Sequence, residues 1–479
     1  MAEKTMIRAS HIIAYDGEGH RYLRDGVVVY AGNTIIHVGK EYPGQVDRTI
    51  EARGKVVTPG FINTHAHLAG SPLDKSFIED KGPPQFYLSG LFEYLPARAG
   101  AMTEDEARAC VDFSLVELLR SGTTTIMEMG GQGAYVAEQA GKLGLRAYIG
   151  QMYRSGRWYT PDGKRVLYDW DEEAGQQGLR RAVDFIEQFH GTYNDRIRGF
   201  LAPAQVDTCS EALLRETHRL ADQLDLPVQI HVSQSVIEFQ EMLRRHGKTP
   251  LAWLRDIGFL SPRVILGHAI IIGGSSWSCY PPGDLQIMAE SGCAVAHAPW
   301  VFARRGIAME SFQRYLDAGI TMTLGTDTCP QNIIQAMRWA AVLAKIVDRN
   351  TEIATARDVF NAATLGGARA LGRDDLGRIA PGARADLLIF HGETLNMTPL
   401  RDPVKNIVYY AEMEDLDTVI IDGEVVVEQG RVLAADEKAV VHRLQQAGER
   451  IWPKMAAHDW ANRAIDTLAP QSFPSWSGG

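Results

Sequence analysis

The sequence predicts an α/β protein: a (β/α)8 TIM barrel with a small β-sandwich domain formed by the N- and C-terminal flanks. Two observations predict this fold. The central segment, 59–373, alternates short β-branched runs with amphipathic helical stretches, and eight such units favour a closed barrel of parallel strands. The flanks, 1–58 and 374–435, alternate apolar and polar residues between turn signals, as antiparallel strands do. The segment 436–479 is predicted to be a helix and a Pro/Ser/Gly tail.

Seven short strands are predicted in the flanks. They are Ile7–Tyr15, Gly26–Tyr30, Thr34–Val38, Ala385–Phe390, Val404–Tyr410, Asp417–Ile421 and Glu424–Glu428. Asp422-Gly423, between the last two, is a tight-turn signal. Neither flank is long enough to bury a core alone, so we expect the two to pair into one small domain.

Eight strand candidates can be counted in the central segment. They are Lys55–Asn63, Thr123–Met129, Arg146–Met152, Arg198–Ala202, Pro227–His231, Arg263–Gly267, Cys293–His297 and Thr321–Thr326. One intervening helix has clear ends, because Thr103 and Glu106 form a capping-box pattern at its start and Gly122 closes it.

Composition limits the class of protein. The chain has 479 residues, of which 45% are hydrophobic and 23% charged, and its formal net charge is −10. This mild acidity argues against a nucleic-acid partner. The chain has no apolar run long enough for a membrane span and no apolar signal-peptide core at its N-terminus, so we expect no membrane association. The five cysteines are scattered and odd in number, which indicates reduced thiols and a cytoplasmic location.

Histidines and one aspartate stand at the ends of the predicted barrel strands. His65 and His67 end the first strand at positions i and i+2, a spacing that turns both imidazoles to the same side. The other strand-end groups are His231, His268, His297 and Asp327. Barrel enzymes build their active sites at the carboxyl ends of the strands, so we expect these side chains to converge. Imidazole and carboxylate ligands suit Zn²⁺, Fe²⁺, Co²⁺ or Mn²⁺.

Five motifs, in this order, resemble the amidohydrolase superfamily: P-G-F-I-N-T-H-A-H, I-H-V-S-Q, L-G-H-A, V-A-H-A-P and L-G-T-D. The resemblance covers about residues 5–435 and is greatest to the branch of cytosine deaminase, guanine deaminase and the triazine hydrolases. It implies one set of metal ligands: His65, His67, His231 and Asp327. It also implies that His268 orients or protonates groups near the hydroxide. The fourth strand lacks the lysine that commonly bridges two metals in relatives, so one metal, zinc first of all, is expected.

Two departures from this branch concern the substrate. Its deaminases usually have His-x-x-Glu, whose glutamate moves protons, whereas this chain reads His231-Val232-Ser233-Gln234. A glutamine can hydrogen-bond but cannot take up or release a proton near neutral pH. The segment after the eighth strand reads G-T-D-T-C-P-Q-N, where relatives often have G-T-D-G followed by Ser-Asn. We therefore expect a different substrate pocket, with Gln234 as a catalytic residue beside His268 and Asp327.

Further residues near the strand ends are candidates for contact with substrate. They are Glu128, Trp158, His297, Trp300 and Phe302. A structural salt bridge is an equal alternative for Glu128, and plain packing is the alternative for each aromatic residue. The segment Ser71–Leu95 is interpreted as a lid or pocket wall, with a surface loop as the alternative. Three arginines could grip a substrate oxygen or simply be solvated: Arg154, Arg304 and Arg305.

Three functions remain open. The first is a mononuclear metal-dependent hydrolase that cleaves a non-peptide C–N bond of a small, mostly neutral amide, urea or carbamate by metal-hydroxide attack. Asp327 then takes the proton, and His268 or the metal stabilises the oxyanion. The alternative is an aminohydrolase or chlorohydrolase acting on an N-heteroaromatic ring, which needs a ring protonation that Gln234 cannot provide. A non-catalytic scaffold conflicts with retention of all four ligand positions. A homo-oligomer, dimer or larger, is expected.

Overall fold

A computed structural model describes residues 2–476. Its strands are β1 (Lys4–Tyr15), β2 (His20–Ala31), β3 (Thr34–Gly39), β4 (Arg48–Pro59), β5 (Phe61–Ala66), β6 (Thr123–Gly130), β7 (Arg146–Tyr153), β8 (Gly156–Tyr159), β9 (Leu167–Trp170), β10 (Ile197–Gly199), β11 (Ala202–Pro203), β12 (Val228–Val232), β13 (Val264–His268), β14 (Ala294–His297), β15 (Thr321–Leu324), β16 (Leu387–His391), β17 (Leu416–Ile421), β18 (Glu424–Glu428) and β19 (Arg431–Val432).

The helices lie mainly between the central strands and after the last strand. They are α1 (Tyr94–Ala101), α2 (Glu104–Arg120), α3 (Gly133–Leu143), α4 (Glu172–Phe189), α5 (Thr192–Asp195), α6 (Glu211–Leu224), α7 (Val236–His246), α8 (Pro250–Asp256), α9 (Asp284–Ser291), α10 (Pro299–Ala303), α11 (Phe312–Asp317), α12 (Ile333–Asp348), α13 (Ala356–Asn361), α14 (Gly367–Ala370), α15 (Pro403–Tyr409), α16 (Glu437–Ile451) and α17 (Ile465–Leu468). The capping box predicted for α2 is present, since the Thr103 N–H donates to Glu106 Oε2 at 2.8 Å.

Strands from both flanks hydrogen-bond into one eight-stranded sheet, in the order β19-β18-β17-β16-β4-β1-β2-β3. β1 runs antiparallel to β2 and parallel to β4, and β4 pairs antiparallel with β16, which joins the two flanks. One face of this sheet buries a common apolar cluster that includes Ile7, Val28, Val57 and Leu387. The two ends of the chain therefore depend on each other for their core.

The predicted strand Val404–Tyr410 is wrong, because this segment is helix α15. Asp402 occupies the N-cap and accepts a hydrogen bond from the N–H of Lys405 at 3.2 Å, and Pro403 stands in the first turn. Both are strong helix-start signals, and they outweigh the β-branched residues that follow.

The predicted first barrel strand, Lys55–Asn63, divides in the structure. Its first half is the end of β4, in the flank sheet, and its second half begins β5, the first of the central strands. Gly60 lies between them, and a Cβ atom there would collide with the side chain of Thr124. A glycine therefore permits the close crossing at which the chain passes from one sheet to the other.

The central strands are parallel and form two sheets. β10, β7, β6 and β5 are neighbours in the first, with β11 also beside β7, and β12 to β15 form the second in sequence order. Isolated bridges connect Leu201 with Val228 and Ala66 with Asp327, across both junctions between the sheets. β6, β12 and β13 are buried along their whole length, as expected for strands covered on both faces. The α/β architecture is as predicted.

The C-terminal segment packs on the helix that precedes β6. Helix α16 begins after the N-cap Asp436 and lies against α2, where Arg443 contacts Asp112 at 2.7 Å and Arg450 contacts Glu106 at 2.7 Å. The last residues of the predicted tail, 477–479, lie outside the described residues. Within residues 2–476, no helix combines the length and apolarity needed to cross a membrane.

A buried ion cluster joins the central strands to the flank sheet. Arg146, at the start of β7, is buried and contacts Asp386 at 3.2 Å and Asp422 at 2.7 Å. Asp386 precedes β16, and Asp422 stands in the turn between β17 and β18. The guanidinium therefore ties together parts of the chain more than 200 residues apart.

We expect Arg146→Met to lower the free energy of unfolding by about 3–5 kcal/mol, because it leaves Asp386 buried without a counter-charge and leaves Asp422 only its longer contact with Arg384, at 3.5 Å. Urea denaturation monitored by circular dichroism measures this change. The matched control is Arg180→Met, which removes an exposed ion pair with Glu173 and should leave the midpoint nearly unchanged. Equal midpoints for the two variants would contradict a stabilising role of the cluster.

Candidate metal centre and substrate cavity

Four imidazoles and one carboxylate meet at the carboxyl ends of the central strands. They belong to His65, His67, His231, His268 and Asp327, all five of which the sequence analysis selected. The Oδ1 atom of Asp327 lies 3.6 Å from His65 Nε2 and 3.3 Å from His67 Nε2. The Oδ2 atom of the same carboxylate lies 3.8 Å from His268 Nε2. Asp327 is thus the centre of the cluster.

Backbone hydrogen bonds hold three of these residues in place. The N–H of Asp327 donates to the carbonyl oxygen of His65 at 2.9 Å, and the N–H of His67 donates to the carbonyl oxygen of Asp327 at 2.7 Å. These bonds connect the end of β5 with the segment after β15. Asp327 has φ +61° and His268 has φ +80°, in a backbone region that residues other than glycine rarely adopt.

The Nδ1 atoms of three imidazoles bind acceptors that lie on or directly after other central strands. These pairs are His65 with Gln229 Oε1 at 2.9 Å, His67 with Met129 O at 2.6 Å, and His231 with Ala204 O at 2.5 Å. Because a carbonyl oxygen can only accept, each Nδ1 carries the proton and each Nε2 keeps its lone pair. An outer hydrogen bond of this kind is typical of histidines that bind a metal.

The lone pairs of two of these imidazoles face each other. His67 Nε2 and His231 Nε2 are 3.0 Å apart, although neither has a proton to donate. The Nε2 atom of His65 is buried and has no hydrogen-bond partner. Converging lone pairs repel unless a cation lies between them, so this donor set fits a divalent metal ion. Two overlapping groups satisfy the spacing for metal ligands: His65, His67 and Asp327, and His65, His231 and His268.

The protonation states agree with metal binding. Burial and the three neighbouring imidazoles hold the pKa of His231 well below its ordinary value, and burial lowers the pKa of His268 to about 3. Burial alone would raise the pKa of Asp327, but the close imidazoles of His65, His67 and His268 outweigh it and hold that pKa far below normal. Neutral imidazoles and an ionised carboxylate are the forms that bind metals.

A cavity of about 940 Å³ opens over this cluster. His67, His231, His268 and Asp327 are part of its lining, and so is Gln234. The cavity is at the upper end of the size range of sites that enclose small molecules. The segment Ser71–Leu95, interpreted above as a pocket wall, supplies Tyr87 and Leu91 among other lining residues.

Two of the predicted substrate residues line the cavity. Trp158 does so from β8, in a hairpin with β9 that the sequence analysis did not predict. Phe302 does so from α10, and its ring packs edge-on against His268 with ring centroids 4.8 Å apart. The Nε1–H of Trp158 donates to Asp207 Oδ2 at 2.7 Å, which fixes the orientation of the indole.

Glu128 does not line the cavity. Its neighbours Met127 and Met129 belong to an apolar cluster with Ile265 and Ala296 of β13 and β14. Successive side chains of a strand point to opposite faces, so Glu128 faces away from that cluster. Its carboxyl oxygens are buried without partners, and burial raises its pKa to about 8. Among the described residues, none forms a salt bridge with Glu128, and a substrate contact at this position stays a prediction.

His297 and Trp300 also lie outside the cavity lining. His297 packs against Phe312 with ring centroids 5.8 Å apart, and burial lowers its pKa to about 3. Trp300 packs against Trp339 at 5.1 Å. Both rings thus pack against other aromatic residues, as in the alternative interpretation, and their contact with substrate stays a prediction.

Several lining residues were missed by the sequence analysis. They include Asp74, Arg98, Arg157, Gln205 and Trp277. Gln205 follows the fourth central strand, so its place at a strand end was a signal that could have found it. The others lie between the central strands, in loops or in short elements such as α1 and β8, which are too brief for periodicity to indicate which side chain turns inward.

Glu238, the next glutamate along the chain, does not replace the one missing at Gln234. Glu238, four residues later, accepts hydrogen bonds from the N–H groups of Ser233 and Gln234, the latter at 3.3 Å. It is not among the residues that line the cavity. Burial and nearby Asp207 raise the pKa of Glu238 well above its ordinary value. Its contacts hold the backbone of the loop after β12.

Comparison with known proteins places the chain in a family. The sequence pattern of the Amidohydrolase family matches residues 56–426. A 5'-deoxyadenosine deaminase of Methanothermobacter thermautotrophicus is 33% identical over 443 residues, which are 90% of this chain and 95% of that protein. A 5-methylthioadenosine/S-adenosylhomocysteine deaminase of Thermococcus kodakarensis is 31% identical over 424 residues, 88% of this chain and 93% of the relative.

Solved structures are similar over nearly the whole length. An adenosine deaminase from Xanthomonas campestris with bound zinc has a TM-score of 0.80 at 25% identity, covering 93% of this chain and 98% of its own. An atrazine chlorohydrolase from Arthrobacter aurescens complexed with zinc has a TM-score of 0.76 at 24% identity, covering 93% and 100%, and is similar in fold. The chain therefore belongs to the amidohydrolase family and is a hydrolase that acts on carbon–nitrogen bonds other than peptide bonds.

Proposed function

We propose that this hydrolase cleaves a small amide, urea or carbamate with the help of one zinc ion. The proposed ligands are His65, His67, His231 and Asp327. Their support is the donor set itself, in which lone pairs of neutral imidazoles and an ionised carboxylate converge. Zinc is present in both of the similar solved structures named above.

The single observation that favours a carbonyl substrate is the state of Gln234. The residue is part of the cavity lining, and its buried Nε2 atom has no hydrogen-bond partner. A buried amide N–H without a partner is costly, and a substrate carbonyl oxygen is an acceptor that would satisfy it. The same amide cannot supply the proton that ring deamination requires.

The proposed chemistry divides between the metal and three side chains. Zinc, when bound, supplies a hydroxide near neutral pH, because it lowers the pKa of its bound water to about 7. Asp327 is ionised, so it accepts a proton from the nucleophile and passes it to the leaving nitrogen. His268 is neutral and donates its remaining N–H to the developing oxyanion, and Gln234 orients the carbonyl group.

The second candidate is hydrolysis of an amino or chloro group on an N-heteroaromatic ring. The relatives favour it, since two curated deaminases named for adenine nucleosides align with about nine-tenths of this chain. The argument against it is the lack of a proton donor where relatives carry their glutamate. The carboxylates of the cavity lining among residues 2–476 are Asp74, Glu104 and Asp327, and none of them follows β12. A non-catalytic scaffold is disfavoured, because all the ligand atoms converge.

We also propose the domain division predicted from the sequence. Residues 59–373 form a closed (β/α)8 barrel, supported by the bridges Leu201–Val228 and Ala66–Asp327 at the two junctions of the parallel sheets. The flanks 1–58 and 374–435 form a β-sandwich, supported by hydrogen bonds that β3 makes with the segment before β16. The remaining piece is 436–479. A homo-oligomer stays a prediction that sedimentation velocity tests.

The first functional prediction concerns the metal. His65→Ala and Asp327→Ala should each abolish activity and lower the metal content from about one ion per chain, with the fold retained. Mass spectrometry of the metal and thermal unfolding measure both effects. His442→Ala, which removes an exposed imidazole of α16, is the control and should change neither. An enzyme that keeps its full rate after exhaustive chelation would contradict the proposal.

His268→Asn should lower kcat by about 100-fold or more, because a positioned donor near the reacting oxygen is lost. Metal content should be unchanged. His297→Asn, at the end of the neighbouring strand but outside the cavity, is the matched control, and its kcat should change far less. If His268→Asn loses the metal together with activity, His268 is a ligand, as its place in one of the two ligand groups would allow.

Gln234→Glu should slow hydrolysis of the native substrate, because it removes the amide donor and adds a carboxylate beside the hydroxide. Gln205→Glu, also in the cavity lining, shows what an added carboxylate does elsewhere. Wild type and both variants are assayed on anilides, ureas and carbamates beside guanine, cytosine and aminotriazines. Ammonia release from the ring compounds alone, faster in Gln234→Glu, would establish the second candidate instead.

A further inference from the structure

Positive charge is in excess around the cavity. The charged residues of its lining, other than histidine, are four arginines and three acids: Arg98, Arg154, Arg157, Arg305, Asp74, Glu104 and Asp327. The three acids do not neutralise three of the four arginines, because two of the acids contact groups other than these arginines. The pairing of each group therefore decides what charge the cavity offers to a substrate.

All three acids are occupied. Asp74 is buried and contacts Arg98 Nε at 2.9 Å, and Glu104 contacts Arg108, which is not part of the lining, at 2.5 Å. Asp327 faces the imidazoles of the metal centre. Among the ion pairs formed by residues 2–476, none includes the remaining three arginines of the lining: Arg154, Arg157 and Arg305.

Arg305 is the most enclosed of these three arginines. It follows α10, and its neighbour Arg304 takes the nearby acid Glu79 at 2.9 Å. Burial and the adjacent Arg304 lower the pKa of Arg305, whereas Asp74 and Asp327 raise it. A guanidinium stays protonated in proteins, so this charge is held in an enclosed site without a contacting carboxylate. The side chain shares the cavity with His67 and Asp327.

Arg154 follows β7 and also lacks a counter-ion. Asp207 is close enough to raise the pKa of Arg154, which burial lowers. However, the Oδ2 atom of Asp207 accepts hydrogen bonds from Trp158 Nε1 at 2.7 Å and from Tyr168 Oη at 2.8 Å. These bonds commit that carboxylate to holding the β8–β9 hairpin. The guanidinium of Arg154 is left exposed on the cavity lining.

We propose that the substrate carries an anionic group, a carboxylate or a phosphate, and that Arg305 is the residue that binds it, assisted by Arg154. A planar guanidinium with free N–H donors pairs with either anion through two parallel hydrogen bonds. The inference rests on the proposed function only in the identity of the bond that is cleaved. It replaces the mostly neutral substrate expected from the sequence with a charged one, and it makes Arg305 a determinant of specificity.

Binding of benzoate and nitrobenzene, neither of which has a bond that the enzyme could hydrolyse, to the zinc-loaded protein tests the inference without turnover. The two probes have nearly the same shape but differ in charge. Isothermal titration calorimetry should give a Kd at least tenfold lower for benzoate, a difference that Arg305→Met abolishes and Arg305→Lys partly keeps. Arg180→Met, on the exposed face of α4, is the control and should keep the full difference. Phenyl phosphate, titrated in parallel, distinguishes a phosphate site from a carboxylate site.

A benzoate preference that persists in Arg305→Met would overturn the inference, since the anion would then be bound by the metal or elsewhere. Equal affinities of wild type for benzoate, phenyl phosphate and nitrobenzene would overturn it as well. If circular dichroism shows that Arg305→Met does not fold, Arg305→Lys and Arg154→Met replace it, and each should weaken benzoate binding more than nitrobenzene binding.

Turnover of two matched substrate pairs separates this inference from the proposed function. The pairs are phenylurea with 4-carboxyphenylurea, and 5'-deoxyadenosine with adenosine 5'-monophosphate. Cleavage of both ureas without preference for the anion would overturn the inference and leave the proposed function standing. Anion preference in the nucleoside pair alone, lost in Arg305→Met, would support the inference and overturn the carbonyl substrate. Where neither pair reacts, the benzoate comparison decides.

Discussion

The hydrogen bonds that the histidines make through Nδ1 determine what the metal centre can be. Each of the three bonds fixes a tautomer and leaves an Nε2 lone pair directed inward. The acceptors lie on other strands: Met129 on β6, Gln229 on β12 and Ala204 after β11. Correct pairing of the strands is therefore a condition for the donor set to form, and a shift of one residue would turn these side chains to the opposite face.

The same arrangement explains how a destabilising site persists in the fold. Buried imidazoles with facing lone pairs and left-handed backbone at His268 and Asp327 cost free energy. Backbone hydrogen bonds between Asp327, His65 and His67 offset part of this cost. Around the site, the parallel strands are buried along their length and supply the packing that holds the strained residues in place.

Sequence reasoning located the metal-binding candidates because strand ends are visible in the pattern. A β-branched run that ends in histidine indicates a strand and places the histidine at its carboxyl end, where the site lies. This was enough to select His65, His231 and His268. Capping chemistry was equally local, which is why the start of α2 was predicted correctly. These features depend on residues within one turn or one strand of each other.

The features that sequence reasoning did not predict depend on which residues from distant parts of the chain contact each other. The direction of Glu128 follows from which face of β6 is enclosed, and one step along the strand separates a cavity position from a buried one. The division of Lys55–Asn63 at Gly60 depends on a close approach of Thr124 from another strand. Likewise, whether Arg305 is paired depends on Arg304 taking Glu79, and no periodicity in the chain records that choice.

The lining of the cavity offers donors far more than acceptors. The amide N–H of Gln234 and the guanidiniums of Arg154 and Arg305 are all donors without partners, whereas Asp327 is the one lining acid that lies among the imidazoles. A complementary substrate therefore presents acceptors: a carbonyl oxygen near Gln234 and an anion near Arg305. A heteroaromatic ring nitrogen would also accept from Gln234, but it would gain a hydrogen bond rather than a proton. The ring carbon would then be less activated toward hydroxide than a carbonyl carbon in the same place, which is why the donor-rich lining and the missing glutamate favour the same class of substrate.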